Sequence, residues 1–122
     1  MATQKEAIKF ILENFPSEKI SETLIKIVIG WDDGRSQLVF ADVKDEVIAV
    51  ASPFAESSAI SAQQAINVNE TIFGVGMAGD WFALKHAVPL EDVDASEMGI
   101  AFNLLAELAD EIENKLGLGD NL

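Results

Sequence analysis

Residues 94–116 read DASEMGIAFNLLAELADEIENKL, and this stretch decides the fold. Met98, Phe102, Leu105, Ala109, Ile112 and Leu116 recur at alternating spacings of four and three, which is one apolar face of a helix. Ala101, Leu104 and Leu108 widen that face, and Asn103, Glu107, Asp110, Glu111, Glu113 and Asn114 fall largely opposite it. Asp94 can cap the helix by accepting a backbone N–H bond, Glu97 completes a capping-box pattern, and Val93 and Met98 stand where a hydrophobic staple forms. Gly117 follows the last apolar position, where a left-handed residue ends a helix. At about 1.5 Å per residue the helix is roughly 33 Å long and spans a small domain. Each of its apolar side chains contributes about 1.5–3 kcal/mol when fully buried. The rest of the chain must therefore supply a surface for this face.

The 122 residues suffice for one domain, 1–122, that packs a core without disulfide or metal, and a hydrophobic fraction of 49% is that of a packed globule. No apolar run approaches the roughly 20 residues that a membrane helix needs. The first ten residues mix Gln4, Lys5, Glu6 and Lys9 with apolar ones and lack the uninterrupted apolar core of a signal peptide. The chain has no cysteine, which excludes thiol chemistry and agrees with a cytoplasmic location. Net charge is −13, and residues 91–120 hold nine acids against the single base Lys115. Phosphate binding needs clustered Lys and Arg, so nucleic acid and anionic membrane surfaces are not expected partners. Such acidity gives solubility, and it also favours a basic protein partner.

Outward from the long helix, residues 3–15 read as a second one. Ile8, Ile11, Leu12 and Phe15 share a face, Thr3 and Glu6 form a capping box, and Pro16 ends the helix. Residues 17–21 read as a polar connection. Three strands follow as an antiparallel meander: 23–31, with Ile25, Ile27, Ile29 and Trp31 on one face; 35–41, with Leu38 and Phe40 sharing a face; and 46–51. Asp33-Gly34 predicts a type I′ hairpin turn. Ser52-Pro53 reads as a break. Residues 57–69 read as a short helix with the small face Ala59, Ala62, Ala65 and Ile66, and residues 71–77 and 80–88 as two more strands. The order α-β-β-β-α-β-β-α predicts an α+β, two-layer fold with the long C-terminal helix packed on an antiparallel sheet.

Gly74-Val75-Gly76-Met77-Ala78-Gly79 matches G-x-G-x-x-G. A dinucleotide site needs a helix to start at these glycines, whereas the residues after Gly79 are aromatic, strand-like and closed by Pro89. Glycine at a hairpin turn is the favoured reading, and a small nucleotide- or ligand-binding protein using Gly74–Gly79 is the alternative function. His86 is the only histidine and has no marked acid or nucleophile partner, and one histidine without cysteine makes a poor zinc site. Asp32-Asp33-Gly34 lacks the alternating oxygen ligands and distal glutamate of a calcium loop. No catalytic residue, metal or cofactor is therefore expected.

The element order resembles the type III secretion chaperone-like fold, which includes the Tir chaperone type proteins and the YbjN-like proteins. The local cues are Ala65-Ile66-Asn67-Val68-Asn69 before the fourth strand, Ala78-Gly79-Asp80 at the hairpin and Val88-Pro89-Leu90 before the last helix. The resemblance implies a non-catalytic homodimer that binds an extended protein segment. Carried over by position, Ala62, Ile66, Phe73 and Val75 become candidate dimer contacts. Ile8, Ile11, Trp31, Leu38 and Phe40 become candidate partner contacts.

Overall fold

A computed structural model describes residues 3–90 and 95–117. Three helices and six strands follow one another as α1 (Gln4–Asn14), β1 (Ser17–Lys19), β2 (Leu24–Gly30), β3 (Ser36–Val43), β4 (Val47–Glu56), α2 (Ala62–Val68), β5 (Gly74–Ala78), β6 (Trp81–Pro89) and α3 (Ala95–Leu116). The strands form one antiparallel sheet in the order β1-β2-β3-β4-β6-β5. The α+β architecture with α3 packed on the sheet is as the sequence predicts, with one strand more. Ser17–Lys19, read as a polar connection, pairs with Ile25–Ile27 as edge strand β1. Three residues without an apolar pattern carry no strand signal.

The α1 capping box forms: Thr3 Oγ1 accepts from the Glu6 backbone N–H and Glu6 Oε1 accepts from the Thr3 N–H, both at 3.1 Å. The Thr3 hydroxyl first, and then the Thr3 backbone N–H, stabilise the Glu6 carboxylate and hold it below its ordinary pKa. Ser61 and Gln64 build the same box at α2, which therefore starts at Ala62 and not at residue 57. Gly117 ends α3 with φ +73°, as expected of a left-handed terminal residue. The predicted cap Asp94 and staple residue Val93 lie outside the described residues.

Two turns differ in type. In the β2–β3 turn the Gly34 N–H donates to the Trp31 carbonyl, the Trp31 N–H donates to Arg35, and only Gly34 has positive φ. This is a three-residue loop closed by a left-handed glycine, in place of a type I′ turn. At β5–β6 only Gly79 of the Gly79-Asp80 pair has positive φ, which is a type II′ turn.

The core lies between the helices and one face of the sheet. Met98, Phe102, Leu105, Ala109 and Ile112 of α3 and Ala7 and Ile11 of α1 meet Ile25, Ile27, Val39, Ala41, Ile48, Val50 and Leu84. Phe15 packs edge-to-face on Phe102 at 5.3 Å and ties the two helices. Asp110 and Glu113, read as solvent-facing, are only 8% and 2% exposed. They stand one turn from Ala106 and Ala109, on the edge of the buried stripe, and Asp110 pairs with Arg35 from the β2–β3 turn.

Ser52-Pro53 does not break β4, which runs on to Glu56 with a bulge between Pro53 and Ala55. The β3–β4 ladder itself ends at the Phe40–Ala51 pair. The next hydrogen-bonded pair would join Leu38 to Pro53, and proline has no N–H to give. Two buried side chains replace the missing bonds. The Ser52 hydroxyl donates to the Leu38 carbonyl at 2.7 Å, and Gln37 Nε2 donates to the Pro53 carbonyl at 2.5 Å.

Candidate functional site

Alternation along the strands leaves a second face with no helix over it among the described residues. β2 contributes Leu24, Lys26 and Val28 to it; β3 Ser36, Leu38, Phe40 and Asp42; β4 Val47, Ala49 and Ala51; and β6 Lys85 and Ala87. A solvated antiparallel face normally alternates to polar residues. Here the outward positions are mainly apolar, and Val28 is 36% exposed.

A trough of about 740 Å³ crosses this face. Its floor is Ala49, Ala51 and Ala87, with Leu24, Phe40 and Asp42 on one side and the Ala78–Gly79 corner of the hairpin at the far end. The void exists because alanines occupy strand positions where large β-branched side chains are usual. Lys44 and Lys85 line its rim. Lys26 on the same face is matched by Glu18 across the β1–β2 pair at 4.0 Å. Among the described residues Lys44 and Lys85 have no carboxylate at ion-pair distance. Lys85 lies over Gly76, where a Cβ would stand 2.7 Å from the lysine Cδ, and its Nζ donates to the Met77 carbonyl at 2.8 Å. Asp42 Oδ1 is shielded from solvent and meets no hydrogen-bond donor.

The candidate residues named from the sequence separate into three groups. Leu38 and Phe40 lie on the open face, half-buried. Trp31 and Ile8 are partly buried against the core on the helix side, and Ile11 is fully buried there. Ile11 therefore offers no surface to a partner: it faces inward one turn after Ala7. Of the candidate dimer residues, Phe73 is in the core and Val75 packs against it, while Ala62 is exposed and Ile66 is 60% exposed. Ile72, 90% exposed, and Met77, 44% exposed, join Ile66 in the segment from α2 to the free edge strand β5. Spacing alone did not single out Ile72 or the alanine floor.

Gly74–Gly79 is edge strand and turn, and strand β6 follows it. The helix N-terminus that would face a pyrophosphate is not there. His86 is on β6, with its ring 5.0 Å from the Phe73 ring. Among the described residues no three His, Cys, Asp or Glu side chains are grouped as a metal site would require, and no helix is long and apolar enough to cross a membrane. No protein-family model, curated protein or solved structure matches the chain.

Proposed function

We propose that the chain is a non-catalytic, homodimeric protein-binding module of the chaperone-like kind, receiving a partner segment on the open face of its sheet. The observation that carries this reading is the uncovered apolar face itself. Contiguous exposed apolar surface on a soluble domain marks an interaction site. The reading also draws on the resemblance in element order to the type III secretion chaperone-like fold. Dimerisation uses the edge formed by α2 and β5, where Ile66, Ile72 and Met77 stand exposed beside unpaired strand backbone.

Sedimentation equilibrium across dilution tests the dimer, and Ile66→Glu with Ile72→Glu returns a monomer if this edge is the contact. A monomer in the wild type at micromolar concentration refutes the dimeric part. The binding face is tested by filling the trough with Ala51→Phe and comparing capture of a partner segment from the source cell. Limited proteolysis of the captured partner should protect one short stretch in the wild type and none in the variant.

A further inference from the structure

Net charge favours a basic partner, but the charge on the trough has the opposite sign. Resting on the reading just given, we infer that the segment entering the trough is extended, apolar, about six residues long and acidic at its ends, with its carboxylates held by Lys44 and Lys85.

Shape comes first. The trough runs from Leu24 on β2 to Ala78 on β5. Within it Lys44, level with Val47, and Lys85, level with Ala51, stand two strand spacings of about 4.8 Å and four residues apart, roughly 16 Å in all, the span of about six extended residues. An extended chain laid along the trough can turn backbone N–H groups to the shielded Asp42 Oδ1, donors that a helix has already used within itself.

Charge comes second. The protein has 21 acids and eight lysines and arginines, yet two of those lysines line one trough with no described carboxylate at ion-pair distance. Lys85 spends one of its three N–H donors on the Met77 carbonyl and keeps two. Asp42 supplies the third argument. Its shielded Oδ1 needs a donor, and a peptide backbone brings N–H groups where an alkyl carboxylate brings none.

The test uses the full chain, ¹⁵N-labelled, titrated with the acetylated and amidated hexapeptides ELALAE and KLALAK and, separately, with dodecanoate. Expected are shifts at the amides of Ala49, Ala51 and Ala87 with ELALAE, absent with KLALAK. Lys44→Gln and Lys85→Gln should each weaken Kd roughly threefold, as rim charges do. Ala49→Phe should abolish the shifts. Binding of KLALAK in the trough as tightly as ELALAE, blocked by Ala49→Phe, overturns the acidic assignment and leaves the binding-face reading standing. ELALAE binding that ignores both lysine substitutions also overturns it. Shifts from dodecanoate alone overturn the peptide occupant. Silence from all three probes overturns the inference, and crosslinking at Phe40 then decides the broader reading.

Discussion

Ser52→Ala removes one hydroxyl from the place where the β3–β4 ladder stops, and the structure sets its effect. Ser52 is fully buried, donates to the Leu38 carbonyl at 2.7 Å and accepts from Gln37 Nε2 at 3.2 Å. Alanine leaves the Leu38 carbonyl without that donor. Leaving a buried acceptor unsatisfied costs about 1–3 kcal/mol. At about 2.1 cal/mol/K of unfolding entropy per residue, 1 kcal/mol moves Tm by about 4 °C in a chain of 122 residues. The expected fall is therefore about 4–12 °C, with the urea m-value unchanged. The two positions should also be coupled: Pro53→Ala restores an N–H that can reach Leu38, so Ser52→Ala should lose less in that background. The assay is urea unfolding of the four members of the cycle, followed by far-UV circular dichroism. A Ser52→Ala loss below about 0.5 kcal/mol, or strictly additive substitutions, refutes the account of the replaced ladder.

Arg35→Met should destabilise more than Asp110→Leu, because it leaves the largely buried Asp110 charge unpaired, while Arg35, whose side chain is 36% exposed, can turn to water. The first should cost about 3 kcal/mol and the second under about 1.5 kcal/mol, read from urea unfolding. Gly76→Ala should push Lys85 off the Met77 carbonyl, and its effect on stability should largely vanish in Lys85→Gln, since the Cβ meets the lysine stem and no backbone. The Glu6 carboxyl should titrate below its ordinary value by NMR and rise part of the way back in Thr3→Ala, which removes the hydroxyl and keeps the backbone N–H. Because its folded pKa is lowered, its contribution to stability is present above the unfolded pKa and lost as pH falls through the folded one.

Helices α1 and α3 were legible because caps and a 3.6-residue period agree, as at Thr3/Glu6 in α1 and along Met98–Ile112 in α3. The path of β4 was not. Pro53 signals a break in sequence, and only the positions of Gln37 and Ser52 in space show how the strand continues. Asp110 and Glu113 were read outward because charge implies solvent, and the guanidinium that pairs with Asp110 comes from 75 residues away. The pairing of Leu38 with Phe40 on one face followed from alternation. Which face lies open did not, because β2 and β3 are apolar on both sides. The trough was invisible for a simpler reason: it is made of side chains that Ala49, Ala51 and Ala87 lack.

The open face is tested most directly by placing a photo-crosslinking phenylalanine analogue at Phe40 and, as a control, at exposed Glu107 on α3, in the source cell. The account predicts a discrete protein adduct at Phe40, mapping to one short segment of the partner and lost in Ala51→Phe, with none at Glu107. Equal adducts at both positions, or none at Phe40, contradict it.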